Sequence, residues 1–312
     1  MDLIELGKTF DPTKRKRHNI NLRRLANLVD PLEKLQNMVG MTKLKNSMFE
    51  LIIKYLQELD SKNTDMLHTI IEGPPGVGKT CIAEILAKIY CRLGFLKKDT
   101  VLKVKVDDLI GEYVGQTAPR TRKQLEKALG GVLFIDEAYS IGKCNSYAEQ
   151  AIDMITSYLD QHPHDLVCMI AGYKDSIKKD FLDLNEGLSR RFTTIFTLEK
   201  YTGDELRSIL MKIIKDNNWD YDDDINSESV LEVFNLHNGQ NKFTDNGGDM
   251  LNLFACCKKT HCLRLMNLET KTEEELIKAK KKINKDDLVS AIKLFIDGKN
   301  KDDSNPPFAM YT

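Results

Sequence analysis

Eight consecutive residues, Gly73-Pro74-Pro75-Gly76-Val77-Gly78-Lys79-Thr80, constrain this chain more than any other stretch. They follow the short apolar run Thr69-Ile70-Ile71 and precede Cys81–Ala87, which carries the apolar spacing of a helix. Strand, glycine-rich loop and helix in that order turn a G-x-x-x-x-G-K-[ST] match into a phosphate-binding loop. Gly76 and Gly78 let backbone N–H groups curl around phosphate oxygens with no Cβ in the way. Lys79 can reach the β- and γ-phosphates, the Thr80 hydroxyl can ligate Mg²⁺, and the helix start adds its positive end to the anion site. The expected nucleotide-binding set therefore runs Gly73, Pro74, Pro75, Gly76, Val77, Gly78, Lys79, Thr80 and Cys81. A nucleoside triphosphate is the expected ligand.

The rest of the composition bounds the surroundings of that loop. A chain of 312 residues has room for about two domains, each burying its own core. A formal net charge of −1 gives no general pull toward nucleic acid or an anionic membrane. No apolar run approaches the length of a membrane span, and the first residues lack the pattern of a signal peptide, so the expected location is cytoplasmic, with the nucleus as an option. Seven cysteines without framework spacing point to reduced thiols. Cys257 and His261, four apart, could share a helix face as half of a zinc site, but no second pair accompanies them, and cysteines buried in a helix are the expectation.

Read along its length, the chain divides into four parts. Residues 1–34 read as a polar arm with a basic knot at Lys14-Arg15-Lys16-Arg17, which could serve nuclear import or nucleic acid but is expected to be a solvated, partly ordered segment. Residues 35–200 hold short apolar runs (Thr69–Ile71, Val101–Val106, Val132–Ile135, Leu166–Ala171, Thr194–Leu198) alternating with amphipathic helices, the pattern of a parallel sheet covered on both faces. Residues 201–297 read as an all-helical second domain, with a charged helical stretch at Glu273–Lys282. Residues 298–312 have too little apolar content to fold alone and are expected to be a loose tail.

The strand-like run Val132–Ile135 ends in Asp136-Glu137. An acid at a strand tip can hold a Mg²⁺ shell, and its neighbour can polarise the water that attacks the γ-phosphate. About sixty residues after a phosphate loop, in a βαβ series, this pair is a strong signal.

With these stretches assembled, the chain resembles the AAA+ ATPases, and within them the CbxX/CfqX family, whose best-known members are the red-type rubisco activases. The resemblance is carried by Gly73–Thr80, Asp107–Pro119, Gly130–Tyr139, Met169–Tyr173 and Gly187–Phe192, in the family's order. It implies a P-loop α/β sheet domain with a helical lid, Mg–ATP as cofactor, and a homo-oligomeric ring, usually a hexamer, acting on a client protein. Gly111-Glu112-Tyr113-Val114-Gly115 matches the family's pore loop, with Tyr113 and Val114 as the residues that grip polypeptide. Arg191, or its neighbour Arg190, matches the arginine finger that reaches the next subunit's γ-phosphate, and Arg191, directly before Phe192, is preferred. Glu137 and Lys79 complete the catalytic set.

Two positions depart from the family pattern. Where many relatives place an Asn or Thr after the fourth strand, this chain has Tyr173 and Lys174, either of which would have to serve as sensor 1. Where many relatives carry a lid arginine, this chain has Asn246-Gly247-Gly248-Asp249, with no arginine until Arg264, and Asp249 is expected to cap its helix rather than meet phosphate. The leading expectation is an ATP-driven remodeller of protein complexes. The alternatives are a nucleotide-gated ring scaffold that hydrolyses slowly and, supported only by the basic knot, a nucleic-acid motor or loader.

Overall fold

The computed structural model describes residues 3–11, 19–58, 66–144, 146–266 and 279–304. The described chain divides into two compact units. One holds residues 1–74 and 78–199; the other holds 75–77 together with 200–312.

The first unit is built on five short parallel strands: β1 (Thr69–Glu72), β2 (Val101–Val104), β3 (Val132–Ile135), β4 (Val167–Gly172) and β5 (Thr194–Thr197). Their order is β2-β3-β4-β1-β5. Strands β1, β3 and β4 are buried along their whole length, which is why they read as continuous apolar runs rather than as alternation. Side chains alternate between the two faces. Leu133 pairs with Cys168 and Ile135 with Ile170, and these face a core closed by Leu125, Ile152, Ile155, Phe181 and Phe192. On the other face Phe134 pairs with Met169 and Ile71 with Ala171.

Helices supply the covering layers. They are α1 (Leu3–Lys8), α2 (Leu22–Gln36), α3 (Thr42–Leu56), α4 (Lys79–Arg92), α5 (Val106–Leu109), α6 (Thr117–Ala128), α7 (Ser146–Gln161), α8 (Lys174–Asp180) and α9 (Glu186–Arg191). The expected polar arm over 1–34 differs from what is found. Leu22–Gln36 is a helix capped by Asn21, whose side chain accepts from the Arg24 N–H, and its Leu25, Leu28, Leu32 and Leu35 are buried. Those leucines recur at three- and four-residue spacing, a helical stripe that the flanking arginines obscured. The basic knot Lys14–Arg17 lies outside the described residues.

The second unit carries α10 (Gly203–Asp216), α11 (Glu228–Gly239), α12 (Asn246–Met266) and α13 (Lys285–Ser304). Helix α10 opens with a reciprocal cap between Thr202 and Glu205. The expectation of an all-helical unit needs one correction. Asp220–Tyr221 and Lys282–Ile283 form a two-residue parallel pair, β6 and β7, too short to leave a period-two signature. Helix α13 also runs on to Ser304, past the expected start of the tail at 298. Most of the charged stretch 273–282, and the tail beyond Ser304, lie outside the described residues.

Cys257 and His261 do share a buried helix face, but for a structural reason. The His261 Nδ1 lies 2.9 Å from the Asp287 Oδ2, while the Arg264 Nε donates to the Asp287 Oδ1 at 2.9 Å. No cluster of three His, Cys, Asp or Glu side chains able to hold a metal occurs among the described residues. Cys257 is buried, whereas Cys256 is half-buried and Cys262 exposed, so only the first fulfils the buried-cysteine expectation. No described helix is long and apolar enough to cross a membrane.

Candidate nucleotide site

The site gathers at the carboxyl ends of β1, β3 and β4, the edge of a parallel sheet where α/β proteins bind ligands. Gly73 extends the ladder by one rung, its N–H donating to the Gly172 carbonyl at 3.0 Å. The chain then turns through Pro74–Gly78 and enters α4 at Lys79. Gly78 caps that helix at φ +91°, a left-handed conformation that suits glycine. Gly76, at φ +68°, is demanded for a second reason, because a Cβ there would stand 1.9 Å from the Asp245 carbonyl oxygen.

The loop tip, Pro75–Val77, groups with the second unit. The Asn246 Nδ2 donates to the Pro75 carbonyl at 2.9 Å, the Gly247 N–H to that of Gly76 at 3.0 Å, and the Tyr201 hydroxyl to that of Val77 at 3.1 Å. Asn246 and Gly247 therefore hold Pro75 and Gly76 by amide and backbone contacts within the second unit. Asp249 accepts from the Asp245 N–H at 2.9 Å and pairs with Lys299 at 2.7 Å, so it caps its helix. Arg264 is committed to Asp287.

Lys79 lies folded over its own loop. Its Nζ donates to the carbonyls of Gly73 at 2.9 Å and Pro74 at 2.8 Å, and stands 5.8 Å from the centre of the Tyr173 ring. Thr80 and Cys81 follow in the first turn of α4, where backbone N–H groups lack intrahelical acceptors and favour an anion. Asp136, half-buried, and Glu137, exposed, leave the tip of β3. The Glu137 backbone is left-handed at φ 51°, ψ 42°, and its N–H donates to the Asp136 Oδ1 at 3.1 Å.

After β4, Tyr173 is exposed, and the Lys174 Nζ lies 4.0 Å from the Glu72 Oε1. Glu72, the last residue of β1, is buried and accepts from the Thr197 hydroxyl at 2.6 Å. Sequence reasoning gave Glu72 no role, although an acid closing a buried strand directly before the loop was the available signal.

Two further sets lie on the same unit. The loop between α5 and α6 holds Tyr113 and Val114, which are 67% and 84% exposed. Its base is fixed by buried threonines: the Gly111 N–H donates to the Thr117 hydroxyl at 3.0 Å, and the Thr121 hydroxyl to the Leu109 carbonyl at 3.0 Å. Arg190 and Arg191 end α9. Arg190 is exposed, whereas Arg191 forks onto Asp160 of α7, Nε to Oδ1 at 2.7 Å and Nη2 to Oδ2 at 2.5 Å. That pairing holds the Asp160 carboxyl below its ordinary pKa.

Comparison with known proteins identifies the family and the fold. Residues 69–198 match the ATPase family associated with various cellular activities (AAA). The fold is also that of the FIGL-1 AAA domain solved in complex with ADP, with a TM-score of 0.55 at 15% identity over 93% of this chain and 98% of that one. The chain is thus an AAA-type ATPase with a nucleotide-binding P-loop. Among relatives, it is 38% identical over 270 residues to a cfxQ-like protein of Acanthamoeba polyphaga mimivirus, covering 85% of this chain and 66% of that one. It is 35% identical over 226 residues to a CfxQ homologue of Galdieria sulphuraria, covering 66% and 74%. The chain belongs to the CbxX/CfqX (CfxQ-like) branch of the AAA ATPases. It spans just under two thirds of the mimivirus relative's length.

Proposed function

We propose that the chain hydrolyses Mg–ATP as part of a homo-oligomeric ring, a hexamer by family resemblance, and uses the cycle to remodel a complex containing a client protein. The observation that carries this reading is the convergence, at one edge of the sheet, of Lys79 and Thr80 after β1, Asp136 and Glu137 after β3, and Tyr173 after β4. Thr80 and Asp136 would hold Mg²⁺, their hydroxyl and carboxylate being hard oxygen donors. A centre with only these two protein ligands suits an ion that keeps its waters and phosphate oxygens. When bound, that ion neutralises charge on the β- and γ-oxygens.

Within this reading each side chain has one task. Lys79 exchanges its loop carbonyls for phosphate oxygens. Glu137, exposed at the strand tip, orients and polarises the attacking water. Arg191 of one subunit crosses to the neighbour's γ-phosphate, a role suited to a guanidinium that stays charged and forks. Tyr113 and Val114 present an exposed aromatic and an apolar neighbour that grip polypeptide without reading its sequence. The nucleotide state moves this loop and the lid.

The testing experiment is Glu137→Gln. Steady-state turnover falls by roughly a hundredfold or more while ADP binding stays intact, and remodelling of the client stops. A second reading, a nucleotide-gated scaffold, is favoured by one observation: Arg264, the first arginine in the lid after the expected sensor position, is spent on Asp287. Assembly and client effects that survive Glu137→Gln would select the scaffold.

A further inference from the structure

Lys79 is held between two strand ends that the sheet keeps in register. Glu72 and Gly172 are paired across β1 and β4, and the Gly73 N–H donates to the Gly172 carbonyl at 3.0 Å. Gly73 therefore leaves one strand and Tyr173 the next at the same level. The Lys79 Nζ donates to the Gly73 and Pro74 carbonyls at 2.9 and 2.8 Å, and stands over the Tyr173 ring, 5.8 Å from its centre. That distance is within the range at which the face of a ring attracts a cation.

The Tyr173 ring is anchored from two sides. Its backbone is extended just before α8, and its carbonyl accepts from the N–H of Ile177, a residue buried in the core, at 2.8 Å. The ring also packs beside that of Tyr139, with centres 5.8 Å apart and planes at 44°. Tyr139 is only 9% exposed, and Gly172 makes room for it, since a Cβ there would stand 2.7 Å from the Tyr139 Cδ1. The Lys143 Nζ lies over the Tyr139 ring, 5.2 Å from its centre. The order is cation, ring, ring, cation, and Tyr173 is the ring that meets the phosphate-loop lysine.

A lysine on a flexible four-carbon stem loses rotamer freedom when it meets an anion, and loses less if it is already in place. The two loop carbonyls cannot serve throughout, because Lys79 gives them up for phosphate oxygens. A ring face need not be given up, since its attraction for the cation leaves the ammonium's hydrogen bonds free to change partner. We infer that Tyr173 is a positioning residue whose ring face, not its hydroxyl, keeps the Lys79 ammonium at the mouth of the loop and so raises affinity for nucleotide phosphates. The inference rests on the reading of Lys79 as the lysine that meets those phosphates. Tyr173 touches no nucleotide in this scheme; it acts through Lys79.

The test compares Tyr173→Phe and Tyr173→Leu in the full chain, each alone and with Lys79→Ala, reading ADP affinity, kcat and KM for ATP, and Tm. Tyr173→Phe keeps the ring face, so ADP affinity stays within about twofold of wild type. Tyr173→Leu keeps apolar bulk without the face, so ADP binds roughly three- to tenfold more weakly, and KM for ATP rises in step while kcat stays within about twofold. In the Lys79→Ala background the Tyr173→Leu change costs less than about twofold, because the cation it positions is gone. Wild-type affinity in Tyr173→Leu overturns the proposal, and so does tighter ADP binding in that variant, an equal loss in Tyr173→Phe, or an equal loss in both backgrounds. ADP affinity unaffected by Lys79→Ala overturns the underlying reading of Lys79 instead. Should Tyr173→Leu lose its fold, as a collapsed Tm reports, Tyr173→Met, an unbranched side chain without a ring face, must give the same selective loss.

Discussion

Arg191 spans both carboxylate oxygens of Asp160, and its third nitrogen donates to the Gly187 carbonyl one turn earlier in α9. In the single chain, the residue assigned as arginine finger is therefore fully engaged on its own subunit. Serving a neighbour means exchanging one bidentate anion for another, Asp160 for a γ-phosphate. On the proposed reading, that exchange would make ring assembly and finger delivery one event.

The exchange predicts opposite behaviour for the two partners. Arg191→Ala abolishes turnover in assembled rings while leaving ADP binding in place. Asp160→Asn weakens the cis contact and keeps turnover at or above wild type, with a stability loss of about 1 kcal/mol or less, since the carboxylate is half-exposed. ATPase rates and Tm for both variants check this, with Arg190→Ala as the comparison that should retain activity. Turnover lost in Arg190→Ala and kept in Arg191→Ala would move the finger by one residue.

His68 sets an acid limit on stability. Its Nδ1 accepts from the Cys168 N–H at 3.1 Å, its Nε2 finds no hydrogen-bond partner among the described residues, and burial, aided by the nearby Arg191 charge, lowers its pKa from 6.5 to about 4. The unfolded chain therefore binds a proton that the fold refuses in that interval. Stability is unaffected above about pH 6.5 and declines as pH falls toward 4, by about 3 kcal/mol in total. Urea midpoints measured from pH 7.5 to 4.5 show the decline, and His68→Asn, which keeps an acceptor but cannot titrate, flattens that part of it.

Thiol chemistry reports on the loop. Burial pushes the Cys168 thiol up to about 12 and the Cys257 thiol up as well, so neither reacts in the native state. Cys81 and Cys262 are exposed and account for the prompt reaction with a disulfide reagent at pH 8. Cys81 directly follows Thr80, so ADP slows its modification and leaves that of Cys262 unchanged. Peptide mapping of the modified protein with and without ADP checks both statements.

Tyr113 offers a separate handle on the client. If its exposed ring grips polypeptide, an unfolded protein added to the ring stimulates ATP turnover, and Tyr113→Ala removes that stimulation severalfold. The assay is ATPase rate against concentration of an unfolded test protein.

Much of this molecule was legible beforehand because its strands are buried on both faces and its phosphate chemistry uses a fixed spacing. The runs around Ile71, Leu133 and Ile170 announced themselves as core strands, and Gly73–Thr80 fixed the loop between the first strand and its helix. Other features depended on contacts distant in sequence. Leu25 and Leu28 were masked by neighbouring arginines and lysines, and the two-residue pairing of Asp220–Tyr221 with Lys282–Ile283 is too short for any periodicity. The Tyr139–Tyr173 pair joins residues on different strand ends, and the Arg191–Asp160 fork joins two helices. Neither leaves a local trace.

The central claim is an active site completed by a neighbouring copy, and one titration tests it most directly: ATP turnover per subunit measured across protein concentrations that span ring assembly. Turnover that climbs with concentration to a plateau, and stays near zero throughout in Arg191→Ala, is the result expected here. Turnover per subunit that is the same from the most dilute sample to the most concentrated would contradict it, because a site complete within one chain has no use for a partner.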